Sequence, residues 1–188
     1  MRNTSDVMRI AVSGAHHTGK TTLIDELIGS LPTFSAIDEP YYLLEEEGHA
    51  FAEMPRLEDF ELQLERSIDS IVESEGDCLF DRCPSDILAY LIAHDESERF
   101  DVNRWIPMVR KAMQLIDLVI FVPIEDPDRV PVTESAHRGL RRRVDEGLRD
   151  IVLEDQWNFG VPAIEVTGPP DERARQVLAY LGGNVEPR

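Results

Sequence analysis

The amino-acid sequence predicts an α/β fold in which a five-stranded parallel sheet carries helices on both faces, in three layers. Two observations support this prediction. Short apolar runs alternate along the chain with longer runs whose apolar residues recur at helical spacing. The clearest strand, Asp117 to Pro123, is apolar almost throughout, as expected when both of its faces are covered. We expect residues 1–188 to form a single domain, because this length lies within the usual range for one domain.

Each predicted strand is a short apolar run that stops at a glycine, a proline or a charged residue. The carboxyl ends of parallel strands meet at one edge of a sheet, so the residues that follow these strands should share a ligand-binding edge. The five predicted strands are Met8 to Ser13, Phe34 to Glu39, Asp77 to Asp81, Asp117 to Pro123 and Pro162 to Gly168.

The predicted helices are recognised by an apolar stripe that recurs every three or four residues. The most regular one, Leu57 to Ser74, carries five apolar residues on one stripe. A second begins at Pro84, since proline suits the first turn of a helix. The remaining predicted helices are Lys20 to Leu31, Arg99 to Ile116, Ala136 to Gly160 and Pro170 to Gly182.

The composition excludes several classes of partner. The formal net charge is −18, which argues against a nucleic-acid groove or an anionic membrane surface, because both need a basic face. No apolar run reaches about 18 residues and we find no signal peptide, so a cytoplasmic protein is expected. The two cysteines, Cys78 and Cys83, lack metal-site spacing and are expected to be buried free thiols.

The loop after the first strand fits a phosphate-binding pattern. Residues Gly14 to Thr21 read GAHHTGKT and match G-x-x-x-x-G-K-[ST], the Walker A motif, between a strand and a helix. Its lysine is informative, because only two of the nineteen basic residues are lysines, and a point-like ammonium reaches between phosphates better than a guanidinium. We expect ATP to be bound by Gly14, Ala15, His16, His17, Thr18, Gly19, Lys20, Thr21 and Thr22.

Two further strand ends carry acids beside this loop. Asp81, at the end of the third strand, is expected to bind Mg²⁺ together with the Thr21 hydroxyl, and Arg82 would face the acceptor side. Glu39, at the end of the second strand, could take a proton from an acceptor hydroxyl. Asp38 competes for that role. The simpler alternatives are a surface ion pair at Asp81-Arg82 and an ordinary exposed acid at Glu39.

The segment HRGLRRR, from His137 to Arg143, is the one basic cluster in this acidic sequence. Arg138 and Arg142 share a helix face at i, i+4 spacing, with Arg141 adjacent. Arginines at this position could neutralise the charge on a phosphoryl group during its transfer. The alternative is a solvated basic face that Asp145 and Glu146 balance.

These motifs together resemble the nucleoside and nucleotide kinase branch of the P-loop proteins. The resemblance is strongest to the AAA-type ATPase/kinase family that includes the ribosylnicotinamide kinase domain of a bacterial NAD-biosynthesis regulator. It rests on GAHHTGKTT, on DEP at Asp38 to Pro40, on FDRCPSDILAY at Phe80 to Tyr90 and on RGLRRR at Arg138 to Arg143. It implies the P-loop NTPase fold with strand order 2-3-1-4-5, a lid near residues 134–149, and catalytic roles for Lys20, Glu39, Arg82, Arg138 and Arg142.

The expected function is Mg²⁺-dependent transfer of the ATP γ-phosphate to a nucleoside-like hydroxyl. Residues Glu58 to Ser74 are expected to wall the acceptor pocket, and Thr167 to Pro170 to pass the nucleotide base. Three alternatives stay open. A nucleoside monophosphate kinase would need another acceptor-side arginine, for which Arg56 and Arg66 are candidates. A regulatory NTP-binding switch and a resistance-type kinase are the other two.

Overall fold

The computed structural model describes residues 7–52, 56–94, 100–128 and 135–183, with the backbone alone for 135–137. Its centre is a sheet of five strands that all run parallel, in the order β2-β3-β1-β4-β5. The predicted fold class and strand order are therefore confirmed. The strands are β1 (Arg9–Ser13), β2 (Ser35–Ile37), β3 (Cys78–Asp81), β4 (Leu118–Phe121) and β5 (Ala163–Glu165).

Helices connect successive strands, as the alternating sequence pattern predicts. Their layers are unequal, since four of them pack on one face of the sheet and two on the other. The helices are α1 (Lys20–Ser30), α2 (Pro40–Glu46), α3 (Leu57–Glu73), α4 (Pro84–His94), α5 (Val102–Met113), α6 (Ser135–Leu148) and α7 (Pro170–Gly183), with a π-helical turn at Arg149–Leu153.

The alternation of side chains along β1 separates two apolar cores. Ile10 and Val12 point to one face, where they pack with residues of α1 and α7. Ala11 points to the other face, into a larger core supplied by α3, α4, α5 and α6. Both faces of the central strand are thus covered, which explains why the strands read as continuous apolar runs.

One predicted helix needs correction. The segment 136–160 does not form one helix, since α6 ends at Leu148 and the π-helical turn ends at Leu153. Beyond it the Asp155 carboxylate accepts hydrogen bonds from the amides of Phe159 and Gly160, at 2.7 and 3.1 Å. Such side-chain bonds to the backbone compete with the helical ladder.

A helix that the sequence analysis missed, α2, begins directly after the second strand. Its first residue is Pro40, which needs no amide partner at the first helical position. Two predicted boundaries lie outside the described residues. They are Arg99, the predicted start of the helix that ends at Ile116, and residue 134, the predicted start of the lid. Within the described residues, none of the helices combines the length and apolarity needed to cross a bilayer. Cys78 and Cys83 are buried and free, as predicted.

Candidate functional site

The neighbouring strands β2, β3 and β1 bring three predicted segments to one edge of the sheet. Val12 on β1 is in register with Asp81 on β3, so the loop that follows β1 starts beside Asp81 and Arg82. Strand β2 pairs with β3 and ends two residues before Glu39. The parallel topology therefore places a possible proton acceptor, a possible metal ligand and the glycine loop side by side.

The loop needs glycine at both ends. A Cβ on Gly14 would lie 2.4 Å from the backbone oxygen of Val122, so the close approach of the loop to the end of β4 excludes any side chain. Gly19 has a φ angle of 88°, in the left-handed region that favours glycine, and leads directly into α1. The loop thus enters the N-terminus of a helix, where free amides and the helix dipole favour an anion.

Lys20, the first residue of α1, folds back over this loop. Its Nζ donates a hydrogen bond to the Ala15 carbonyl oxygen at 3.1 Å, and 5% of the residue is exposed. Burial, followed by the charge of Arg82, lowers the pKa of Lys20 from 10.5 to about 8, although Asp81 and Glu39 oppose this shift. Among the described residues, no carboxylate is bonded to this ammonium group, which leaves it ready for an anion.

Thr21 and Asp81 form the second polar contact of the site. The Thr21 hydroxyl donates to Asp81 Oδ2 at 2.6 Å, which joins α1 to the end of β3. Asp81 Oδ1 is buried without a hydrogen-bond partner among the described residues. Burial raises the pKa of Asp81, and Lys20 and the Thr21 hydroxyl partly oppose the rise. A buried carboxylate oxygen with no donor is suited to a cation.

Arg82 connects the acid at the end of β2 to the phosphate loop. Its Nε lies 2.7 Å from Glu39 Oε1, and its Nη1 donates to the Gly14 carbonyl oxygen at 3.0 Å. The residue has a φ angle of 75°, a strained value that persists because the surrounding contacts fix it. Burial acts to lower the pKa of Arg82, but the surrounding Tyr90, Glu39 and Asp86 side chains raise it further than burial lowers it. The Arg82 guanidinium therefore stays charged.

Asp86 and Tyr90, one turn apart on α4, support the other side of the same loop. The fully buried Asp86 carboxylate accepts the Gly14 amide at 3.0 Å and lies 3.7 Å from Arg82 Nη1. The Tyr90 hydroxyl accepts the His16 amide at 2.9 Å, and its ring lies under the Arg82 guanidinium. Phe60 of α3 stacks on Tyr90 with ring centroids 5.8 Å apart.

His16 and His17, at the variable positions of the motif, differ in their surroundings. His17 is exposed and has a φ angle of 57°, whereas His16 is half-buried and its Nδ1 lies 3.1 Å from the Tyr90 hydroxyl. Burial, followed by the charges of His17 and Arg141, lowers the pKa of His16 to about 4. His16 is therefore neutral at pH 7.

The three buried arginines of the described residues all bind the backbone of the phosphate loop. Arg82 binds the Gly14 carbonyl group, while Arg141 of α6 and Arg173 of α7 bind the three consecutive carbonyl groups of residues 16–18. The bonds of the latter two are Arg141 Nε to His16 O at 2.7 Å, Arg141 Nη2 to His17 O at 3.1 Å and Arg173 Nη1 to Thr18 O at 2.6 Å.

The structure brings most of the predicted site residues together, but not all of them. Lys20, Glu39, Asp81 and Arg82 surround the phosphate loop, and Thr21 and Thr22 lie at its exit, exposed. Arg138 and Arg142 are exposed on α6, whereas the Arg141 guanidinium between them reaches the loop. The catalytic and ligand roles of all these residues remain predictions.

Three supporting residues were not assigned a role by sequence reasoning. Asp86 and Tyr90 lie inside the stretch that carries the family resemblance, but nothing in the motif says which atoms they bind. Arg173 left a weaker signal, because it stands four residues before Val177 on the buried stripe of α7, where an apolar side chain is expected.

The fold and this loop together define a P-loop protein with the topology of the nucleoside and nucleotide kinases. The family model described as an AAA domain matches residues 9–173. The chain therefore belongs to that family, which confirms the predicted resemblance. No curated protein sequence matches the chain.

Three solved structures illustrate the shared fold. NadR in complex with NR has a TM-score of 0.65 and 19% identity, over 97% of this chain and 52% of the NadR chain, so this chain spans about half of that protein's length. Deoxyadenosine kinase from M. mycoides has a TM-score of 0.63 and 12% identity, over 94% of this chain and 99% of its own. Thymidylate kinase from Candida albicans has a TM-score of 0.64 and 14% identity, over 95% and 92%.

Proposed function

We propose that this protein is an ATP- and Mg²⁺-dependent phosphotransferase that acts on a hydroxyl group of a nucleoside-like small molecule. The observation that carries the proposal is the position of Glu39. Its carboxylate lies 2.7 Å from Arg82 Nε beside the phosphate loop, while 23% of the side chain stays exposed to an incoming molecule. The structural relatives support the proposal, since they include a deoxyadenosine kinase, for the acceptor class, and a NadR complex with NAD and AMP-PNP, for the ATP donor.

Thr21 and Asp81 are the residues that would hold Mg²⁺. Their oxygens fit this ion, because Asp81 Oδ1 is buried without a donor from the part of the chain that the structure describes, and Mg²⁺ prefers oxygen ligands. No cluster of three or more His, Cys, Asp or Glu side chains suited to a metal occurs within the described ranges, so phosphates and water would complete the shell. Mg²⁺ bound there would neutralise charge on the nucleotide phosphates.

Glu39 acts as the general base in the proposed reaction. As the acceptor oxygen bonds to the γ-phosphorus, Glu39 takes the hydroxyl proton, and the bond from the γ-phosphorus to the β–γ bridging oxygen breaks to release ADP. Arg82 orients the Glu39 carboxylate through their ion pair. Lys20 and the loop amides hold the phosphates of ATP.

The residues of α6 supply the lid in this proposal. A lid over the loop excludes water, which would otherwise take the phosphoryl group. Arg141 is the lid arginine nearest to the loop, because its guanidinium contacts the His16 and His17 carbonyl oxygens. To stabilise the moving charge it would exchange its ion pair with Asp128 for the phosphoryl group. Arg138 and Arg142 would reach the nucleotide only after the lid moves, since both are exposed.

The ion pairs of Arg66 and Arg82 favour an alcohol over a monophosphate acceptor, whereas Arg56, the other candidate, is exposed at the start of α3. A monophosphate needs a cation that is free to bind it. Arg66, one of the two candidates, pairs with Glu47 at 2.8 Å and donates to the Ser70 hydroxyl at 2.9 Å, which ties α2 to α3. Arg82 is already neutralised by Glu39 and Asp86.

A panel of nucleosides and vitamins, each supplied with ATP and Mg²⁺, tests the proposal by the rate of ADP release. We expect at least one acceptor to raise turnover well above the rate with water alone. If only a protein partner raises it, the protein is an NTP-dependent switch, and if monophosphates alone raise it, the acceptor class is wrong.

Glu39→Gln should lower the transfer rate by about 100-fold or more, because the amide cannot take the proton, while ATP affinity stays unchanged. The matched control is Glu46→Gln, an exposed acid on α2, which should keep the wild-type rate. Transfer at full rate by the Glu39 variant would remove this residue from the mechanism.

A further inference from the structure

The phosphate loop can bind an anion only if its carbonyl groups are satisfied on the outer side. A loop that turns its amides inward must turn its carbonyls toward the protein, where each needs a donor. The Thr18 carbonyl, immediately before Gly19, receives its bond from Arg173, on the first turn of α7. The 2.6 Å bond spans 155 residues of sequence, and Arg173 is 3% exposed.

Arg173 also binds Glu125, which in turn binds a further segment around the loop. Its Nη2 lies 2.7 Å from Glu125 Oε1, in the segment after β4. The same carboxylate oxygen accepts the Gly168 amide at 2.8 Å, in the loop after β5. A single guanidinium therefore holds Thr18 and Glu125 at a fixed spacing, which a planar fork can do and a point-like ammonium cannot.

We propose that Arg173 is a positioning residue for polyphosphate binding, which fixes the carboxyl end of the phosphate loop from the side of α7. It acts through the Thr18 carbonyl and not by contact with the nucleotide. Without Arg173, the buried Thr18 carbonyl would lose its donor and the loop would be less ordered before binding. Part of the binding free energy would then be spent on ordering the loop. The inference rests on the proposed function in one respect, that the loop binds a nucleoside triphosphate.

The test compares ATP with inorganic tripolyphosphate, which has no base or sugar. We expect Arg173→Gln to raise the Kd of both ligands by about tenfold, because a charged hydrogen bond that supports the loop is lost. Arg173→Lys should raise both by a similar factor, since it keeps the charge but cannot bridge Thr18 and Glu125. The matched control is Arg175→Gln on the same helix, where a 70% exposed arginine pairs only with Asp171 at 3.3 Å among the described contacts.

A positioning role for Arg173 is distinguished from a purely structural one by which quantity changes: ATP and tripolyphosphate affinity, and not the folding of the protein. The Kd values are measured well below the unfolding midpoint of each variant, and the near-UV circular dichroism of each must match that of the wild type. With an acceptor in hand, the KM for ATP should rise while the KM for the acceptor stays unchanged. If Arg173→Gln does not fold, Arg173→Lys alone decides the question.

Three outcomes would overturn the inference. The first is that a folded Arg173 variant keeps the wild-type Kd for both ligands. The second is that its affinity falls for ATP but not for tripolyphosphate, and the third is that the Arg175 variant loses affinity by the same factor. The proposed function fails separately, when the wild-type protein itself binds neither ligand in the presence of Mg²⁺.

Discussion

The protonation of Lys20 illustrates how one residue's surroundings set its chemistry. Burial lowers its pKa from 10.5 to about 8, so in the ligand-free protein the charged form is disfavoured. Between these two pH values the unfolded chain binds more protons than the folded one, and the free energy of unfolding gains a term that rises with pH. Below pH 8 both states are protonated and the burial of the charge costs stability.

Polyphosphate binding should reverse this effect at Lys20. An anion beside the ammonium raises its pKa again, so at about pH 8.5 the binding of ATP should take up a fraction of a proton. Isothermal titration calorimetry in two buffers of different ionisation enthalpy measures this uptake. Lys111→Met, which changes the other lysine, exposed on α5, should keep the uptake, and Lys20→Met should lose it together with most of the affinity. Uptake that persists in the Lys20 variant would assign the proton to another group.

At the same scale, the sequence predicts the residues whose spacing encodes a backbone shape and misses those whose role depends on a distant partner. The glycines and Lys20 follow from the local motif. Asp86 matters because it accepts the Gly14 amide across 72 residues of sequence, and no local pattern carries that contact. The exposure of Arg142 beside the buried Arg141 likewise depends on how α6 is rotated against α4.

Among the elements, α6 has the largest effect on the predicted chemistry. It packs against α4 and, through Arg141, against the phosphate loop, so its position decides which arginine of the basic cluster can approach a phosphate. The helix rotation selects one guanidinium from a run of three consecutive arginines. The other two arginines of this run, Arg142 and Arg143, are exposed to solvent.

We therefore predict that Arg141→Gln lowers kcat by about 100-fold, because it removes the guanidinium that contacts the phosphate loop and that we propose to stabilise the transferring group. Arg142→Gln, its exposed neighbour, should lower kcat less than about threefold, as expected for a screened surface charge. Steady-state kinetics with saturating ATP and acceptor measures both. The reverse order of effects would place Arg142 in the closed site and Arg141 in a supporting role.

Sequence periodicity predicts the existence of most elements but not all of their boundaries. The apolar runs predict the strands and the alternating pattern predicts the parallel sheet, whereas the strand order is implied by the family resemblance. The sequence does not predict that the helical segment stops before residue 160, because an apolar stripe does not encode the φ angles of 48° and 53° at Asp155 and Asn158. Helix α2 was missed since seven residues offer less than two clear repeats of a helical stripe.

Across the whole molecule, a net charge of −18 should repel an anion such as ATP, while a local group of cations surrounds the site proposed to bind it. The repulsion acts over a distance set by salt, since the screening length falls from about 30 Å at 0.01 M to about 8 Å at 0.15 M ionic strength. The contacts inside the site are short and partly buried, so salt weakens them less. Association and dissociation should therefore respond differently to salt.

We predict that the association rate of ATP rises between these two salt concentrations, in contrast to the fall seen where a basic surface steers an anion. Stopped-flow fluorescence with a labelled nucleotide measures it, with the dissociation rate as an internal comparison. A slower association at higher salt would mean that the local cations dominate the field even at long range.

The reach of Arg173 to Thr18 has a consequence for biosynthesis. A ribosome delivers the glycine loop first, and Arg173, whose guanidinium bonds to that loop, follows 155 positions later. Until the segment with Arg173 has left the ribosome and docked, the Thr18 carbonyl of the nascent protein lacks this donor. Competence to bind ATP should therefore appear only after that segment has emerged.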